Sequence, residues 1–172
     1  GTKLYSVSAG AMFELPTAAN KGTLEAIDQF TQSINSIALS HPEADVVLFV
    51  PDCTRVTESN PASPLVNNAI THSSLLGSIR EGLDSSIDLL GYENDGTGDF
   101  LTNFFETDHH WTIAGAYKGY LDIARILGIA PETPSETIEY NYQSYGSIAR
   151  QGLYLTGTDH IVDYRFGQQE YE

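Results

Sequence analysis

The stretch of sequence that most constrains the fold is Thr107-Asp108-His109-His110-Trp111, which stands directly before a run of apolar residues at helical spacing. Residues 103–106, Asn-Phe-Phe-Glu, are typical of a short strand, and residues 112–127 predict an amphipathic helix with Thr112 as its N-cap. Gly115 and Gly119 lie in that helix and would permit a close approach to a sheet. We therefore expect the cluster at a strand-to-helix junction, which is where open α/β sheets place their sites.

Asp108 and His110 are two positions apart, so in an extended or turning segment both side chains can project to one side while His109 points to the other. A carboxylate beside an imidazole fixes its tautomer and stabilises the imidazolium, as a general base that serves a nucleophile requires. We predict that Asp108 orients His110 and that His110 is the base. The alternative is that the acid and the histidines only cap the helix. The Trp111 indole is expected to pack in the core.

The stretch from Thr107 to Tyr117, Thr-Asp-His-His-Trp-Thr-Ile-Ala-Gly-Ala-Tyr, resembles the signature of the bacterial DHHW protein family. That family is similar to the SGNH hydrolase-like proteins of alginate O-acetylation, which carry an Asp-x-His-Trp-Thr motif. Residues 45–51 resemble the family's early strand that ends in Pro. Residues 145–147 and 158–164 resemble its later Gly-Thr/Ser and Asp-x-Ile-x-x-Tyr segments. The resemblance covers most of the chain, although only the DHHW block is highly specific.

The pattern of the remaining chain indicates α/β layering. Apolar spacing predicts a strand or hairpin arm at 4–15, helices at 17–38 and from Ser74, strands at 45–50 and 87–90, and tyrosine-rich β segments at 138–142 and 153–166. The resemblance implies an SGNH-hydrolase-like (flavodoxin-like) layered α/β fold. Its sheet would be mainly parallel, present here in whole or in part, with a C-terminal β extension. We expect residues 1–172 to form one such domain, truncated at its C-terminus.

In the group that this chain resembles, the Asp and His pair with a serine that lies later in the chain, in an Asp-Ser segment. No Asp-Ser pair follows His110, and the chain has no Gly-x-Ser-x-Gly elbow. Ser147, which follows Gly146, and Cys53, which follows the strand at 45–50, are the remaining nucleophile candidates. For Cys53 the alternative is a buried, unreactive thiol.

The resemblance implies a carbohydrate esterase or O-acetyltransferase domain that acts on a cell-surface or secreted glycan. Without an evident serine nucleophile, we expect the chain to be inactive as it stands. The residues placed around the Asp108–His110 pair as supporting groups are His109, Trp111, Thr112 and Asp52. No cofactor and no resident metal ion are expected.

Two other functions fit parts of the sequence. One is a non-catalytic carbohydrate-binding or scaffold module. The other is a divalent-metal phosphoesterase in which Asp108, His109 and His110 bind the ion, as in the manganese phosphoesterases of the DHH group. That group also uses Asp-x-Asp, a pattern that this chain lacks.

The formal charge of −15 argues against nucleic acids and anionic membrane surfaces as partners, because both would be repelled. A single cysteine, Cys53, excludes an intramolecular disulfide and a multi-cysteine zinc site. No run of residues is apolar for long enough to cross a bilayer. We expect a glycan or acyl-ester substrate and an extracytoplasmic or cell-surface protein, secreted or anchored through a segment that this sequence does not contain.

Overall fold

The computed structural model describes residues 5–8, 11–92, 100–153 and 156–167. These residues form two compact units. The first takes its described residues from Gly1–Glu14 and Gly98–Glu172, and the second from Leu15–Thr97. The single SGNH-like domain expected over 1–172 stays a prediction.

Helices and strands alternate along much of the chain. In chain order the elements are β1 (Tyr5–Ser8), β2 (Ala11–Glu14), α1 (Lys21–Ser40), β3 (Val46–Val50), α2 (His72–Gly82), β4 (Ile87–Gly91), α3 (Phe100–Asn103), α4 (Ile113–Ile126), β5 (Glu136–Ser144), α5 (Ser147–Gly152) and β6 (Asp159–Arg165). The described strands form three two-stranded pairs, of which one is parallel. This composition is that of an α/β fold, as expected. None of the described helices combines the length and the apolar character that a bilayer crossing requires.

The second unit contains the parallel pair. Strands β3 and β4 run in register from Val46 opposite Ile87 to Val50 opposite Gly91, and helices α1 and α2 pack together. Helix α1 begins at Lys21, later than expected, because the Asn20 side chain accepts the Thr23 N–H at 3.1 Å and caps the helix there. The apolar run of β3 predicts the strand correctly, but the strand is only half-buried.

The first unit contains the two antiparallel pairs, β1–β2 and β5–β6. The predicted tyrosine-rich β segments are therefore confirmed. The second of them begins at Asp159 and not at Leu153, because Leu153 ends α5 with a φ of 54°. A positive φ of this kind does not belong to the extended backbone of a strand.

Three phenylalanine rings lie in the core of the first unit, close in sequence or space to the DHHW stretch, Thr107–Trp111. The rings of Phe13 and Phe100 lie 5.1 Å apart, as do those of Phe100 and Phe104, and all three residues are buried. The strand expected at 103–106 is wrong. Phe100 and Phe104 are four positions apart, so a helical turn brings both rings to the same core. The Phe104 N–H accordingly donates to the Phe100 carbonyl at 2.8 Å.

The predicted motif helix is confirmed as α4, with Thr112 as its N-cap. The Thr112 Oγ1 accepts the Gly115 N–H at 3.1 Å and donates to the Thr102 carbonyl at 2.5 Å. Gly115 makes a close approach, but its neighbour is the backbone carbonyl of Asn103 and not a sheet. The same carbonyl accepts the Thr112 N–H at 2.9 Å, so the start of α4 is held directly against the end of α3.

We expect Gly115→Ala to lower the free energy of unfolding by about 1–3 kcal/mol, because the added Cβ would overlap the Asn103 backbone. Gly77→Ala is the matched control. Gly77 lies inside α2, and a Cβ there would have no neighbour within 4 Å. The free energy of unfolding of Gly77→Ala should rise by about 0.5–1 kcal/mol, because alanine has the higher helix propensity. Chemical denaturation followed by circular dichroism measures both, and equal effects of the two substitutions would contradict the close contact.

Candidate active site

The DHHW stretch folds into a tight loop between α3 and α4. Phe104 and Trp111 form an antiparallel bridge, and the Phe105 N–H donates to the His110 carbonyl at 3.3 Å across its base. The loop is also tied to β2, because the Met12 N–H donates to the Glu106 carbonyl at 2.8 Å. Trp111 is half-buried. Residues 107–110 are therefore displayed by a loop that is fixed at both ends.

The Asp108 carboxylate is the centre of the site. Its Oδ1 lies 2.5 Å from Nδ1 of His110 and accepts the His110 backbone N–H at 3.0 Å. Its Oδ2 accepts the backbone N–H of Ser147 at 2.5 Å. The first two contacts form a local turn of the kind that aspartate favours. The expected contact between Asp108 and His110 is confirmed as geometry, and Ser147 adds a partner from α5.

The pKa of Asp108 reflects two opposing effects. Partial burial raises it, but hydrogen bonds from the backbone N–H groups of Ser147 and His110, and from their side chains, outweigh burial and lower the pKa to about 2. The carboxylate is thus ionised at neutral pH and can only accept hydrogen bonds. The Nδ1 of His110 must therefore carry the proton, and its other ring nitrogen, Nε2, is left without one in the neutral imidazole.

His109 does not point away from His110, so the expectation that it points to the other side is wrong. The two rings stack with centroids 4.0 Å apart and planes inclined by 36°. The Nδ1 of His109 lies 2.9 Å from the Ser147 hydroxyl oxygen and 3.4 Å from Asp108 Oδ1. Both imidazoles are exposed. The turn at Asp108 brings the two rings to the same side.

The structure brings Ser147 to the site but describes Cys53 and Asp52 in the second unit. Asp52 is buried and accepts the Cys53 N–H at 2.8 Å. Cys53 is exposed, yet neighbouring atoms desolvate its thiol and raise its pKa. A thiol that stays protonated at neutral pH is a weak nucleophile, so this environment does not favour Cys53 as the reacting group.

Two functional candidates were missed by sequence reasoning, Thr107 and Asp159. The Thr107 N–H and hydroxyl both donate to the Asp159 carboxylate, at 2.8 and 2.5 Å, and both residues are buried. The sequence placed Thr107 in the stretch that resembles the DHHW signature and Asp159 in the resembling segment 158–164, but gave neither residue a role. A contact across 52 positions carries no local pattern.

Asp108, His109 and His110 also offer one ligand atom each within 4.8 Å of one another, as a metal site would. Both oxygens of Asp108, however, already accept N–H groups. An ion bound through Oδ1 of Asp108 and Nδ1 of His110 would have to break the contact between those two atoms. The arrangement found is that of a hydrogen-bonded acid–base pair.

Comparison with known proteins identifies the fold. The chain superposes on Bacillus cereus PatB1 with a TM-score of 0.65 at 16% identity, over 95% of this chain and 58% of that one. It superposes on a DHHW family protein from Eubacterium siraeum with a TM-score of 0.60 at 14% identity, over 94% of this chain and 54% of that one. This chain has their fold.

A third structure is the O-acetyltransferase domain of Pseudomonas putida AlgJ, with a TM-score of 0.58 at 12% identity, over 96% of this chain and 66% of that one. The chain thus spans less than two thirds of the length of each of these relatives. No protein-family model and no curated protein sequence matches the chain. The likeness is one of fold, which agrees with the DHHW and alginate O-acetylation resemblance.

We expect Asp108→Asn to lower the free energy of unfolding at pH 7 by about 1–3 kcal/mol, because the charge-assisted hydrogen bonds are lost. Since folding depresses the pKa of Asp108 from 3.8 to about 2, its contribution is fully present above pH 3.8 and is lost as the pH falls through 2. The difference in free energy of unfolding between the parent protein and Asp108→Asn should therefore decrease as the pH falls from 3.8 to about 2.

Urea denaturation at several pH values between 2 and 7 measures this difference. Asp45→Asn is the control, because Asp45 is an exposed residue directly before β3. If the difference in free energy of unfolding between the parent and Asp108→Asn stays constant down to pH 2, the Asp108 carboxylate of the parent is not held ionised by these donors.

Proposed function

We propose that this chain carries the Asp–His part of an SGNH-like, DHHW-type esterase or O-acetyltransferase that acts on a glycan. The observation that carries the proposal is the 2.5 Å contact between Nδ1 of His110 and the ionised carboxylate of Asp108. That contact fixes one tautomer and leaves Nε2 as the basic nitrogen. The His110 side chain is 69% exposed, so this nitrogen is open to a reacting group.

In the proposed reaction, Nε2 of His110 takes the proton of a serine hydroxyl as the serine oxygen attacks the ester carbonyl. The tetrahedral intermediate collapses to an acyl-enzyme, and the alcohol leaves with the proton from Nε2. Water or a sugar hydroxyl then gives its proton to Nε2 and attacks the acyl group, and the serine oxygen leaves with that proton from Nε2. Asp108 keeps its charge throughout and stabilises the imidazolium.

Ser147 does not fit the role of that serine. A relay requires the acid on one ring nitrogen and the hydroxyl on the other. Asp108 and Ser147 both approach His109 at Nδ1, at 3.4 and 2.9 Å. His109 therefore cannot pass a proton between them, and the proposal leaves the nucleophile unassigned.

The fold relatives support this type of chemistry. One of them is an O-acetyltransferase domain, and a second structure of PatB1, with a TM-score of 0.67, was solved with a sulfonyl adduct. Sulfonyl adducts form on nucleophilic side chains, as a mechanism through an acyl-enzyme would require. We further propose that the parallel pair β3–β4 is part of an SGNH-like, mainly parallel sheet, and that β5–β6 is the C-terminal extension.

The surroundings proposed for this activity are extracytoplasmic, with the glycan at the cell surface or secreted. A charge of −15 disfavours phosphate-rich partners, because they would be repelled. A non-catalytic glycan-binding module and a metal phosphoesterase are the outcomes that the experiment must separate from this proposal.

In the protein as its gene encodes it, His110→Asn and Asp108→Asn should each lower kcat/KM for p-nitrophenyl acetate by about a hundredfold or more, because general base catalysis is lost. Matched controls are His41→Asn and Glu43→Gln. His41 and Glu43 form another exposed acid–histidine pair two positions apart, with Nδ1 and Oε1 3.6 Å apart. Those variants should keep the parent rate.

Stopped-flow release of p-nitrophenol measures the rates and any acyl-enzyme burst. Full activity of His110→Asn would overturn the proposal. Glycan binding with no ester hydrolysis would support the binding module instead. Hydrolysis of a phosphodiester that needs added Mn²⁺ would establish the metal alternative.

A further inference from the structure

We propose that Thr107 and Asp159 are positioning residues that hold the Asp108 loop against the start of α5 and so set the geometry of the Asp108–His110 pair. Their contacts join the two segments of the DHHW resemblance that the proposed function leaves without a role, residues 145–147 and residues 158–164.

Thr107 uses every one of its polar groups in this contact. Its N–H donates to Asp159 Oδ1 at 2.8 Å, and its hydroxyl donates to Asp159 Oδ2 at 2.5 Å. The hydroxyl oxygen then accepts the Gly146 N–H at 2.8 Å, and the Thr107 carbonyl accepts the Ala149 N–H at 3.1 Å. Thr107 is completely buried, so water cannot replace these partners.

The contact reaches the catalytic pair through consecutive residues. Gly146 donates to Thr107, and the next residue, Ser147, donates to Asp108 Oδ2 at 2.5 Å. A Cβ on Gly146 would overlap the Thr107 carbonyl and the Cβ of Asp108. The distance between the backbone at Gly146 and the backbone at Thr107 is therefore set by the contacts of Thr107. Thr107 directly precedes Asp108, whose carboxylate it positions.

Asp159 determines which way the Thr107 hydroxyl points. It is 4% exposed, stands at the start of β6 opposite Ser144, and takes both donors of Thr107. With its proton directed to Asp159, the hydroxyl can only accept from Gly146. Loss of the hydroxyl would leave the Gly146 N–H buried without its partner, and the start of α5 would move away from Asp108.

The inference rests on the proposed function only for its activity readout. A second readout is the amide proton of Ser147 in a ¹H–¹⁵N NMR spectrum, which is shifted downfield by a charged acceptor. Thr107→Val should move this resonance upfield, toward its position in Asp108→Asn. Thr107→Ser keeps the hydroxyl and should restore the parent position.

In an active parent protein, Thr107→Val should lower kcat by about tenfold to a hundredfold while KM changes by less than about twofold, because the groups are misplaced and substrate binding is not. Thr31→Val is the matched control. Thr31 is 1% exposed and donates its hydroxyl to the Ile27 carbonyl at 2.9 Å within α1. It should leave both the Ser147 resonance and kcat unchanged.

An unchanged Ser147 resonance in Thr107→Val overturns the inference, whatever the rates show. A shifted resonance with unchanged kcat shows a contact that does not position the catalytic pair, and it also overturns the inference. If the parent hydrolyses no acetyl ester, the proposed function fails, but the resonance still decides the coupling. Should Thr107→Val not fold, Asp159→Asn is expected to move the Ser147 resonance in the same direction, and no movement there would contradict the proposal.

Discussion

The negative charge of Asp108 is the constraint on which the rest of the site depends. A half-buried carboxylate loses hydration, and it stays ionised only where N–H donors replace the water. Asp108 takes those donors from His110, two positions away, and from Ser147, 39 positions away. Because each donor must stay in place, the loop after α3 and the start of α5 have to be fixed relative to each other.

The local half of this arrangement could be predicted from the sequence. Helix α4 and its Thr112 cap follow from apolar spacing and capping chemistry, which act over a few residues. The contact between Asp108 and His110 follows from a spacing of two together with the turn preference of aspartate. The strands of the β1–β2 and β5–β6 pairs could also be predicted, because alternating and tyrosine-rich segments favour strands.

The long-range half could not be predicted, because its causes lie far away in the chain. Residues 103–106 have the sequence pattern of a strand. The helical turn that replaces it depends on a contact with the distant Phe13 ring, which packs against Phe100. Helix α1 shows the same limit. Its periodicity predicts the helix but not how far its apolar face is buried. Leu24 and Ile37 are 49% and 51% exposed. The short helix α5, which places Ser147, gave no periodic signal in six residues.

The two adjacent imidazoles have different hydrogen-bond partners, so the proposed reaction would give them different roles. His110 has its acid on Nδ1 and keeps Nε2 separate, which is the arrangement that proton transfer needs. His109 covers one face of the His110 ring at a centroid distance of 4.0 Å, while Ser147 and Asp108 occupy its own Nδ1. A hydrogen bond to Nε2 forms in the plane of the ring, so the stacked partner does not block it. A hydroxyl that reacts through His110 would therefore approach along the exposed edge of the His110 ring. The neighbouring ring of His109 would limit how far the His110 ring can tilt. In the proposed reaction the first histidine of the DHHW stretch would orient the second, and only the second would exchange a proton with the reacting group.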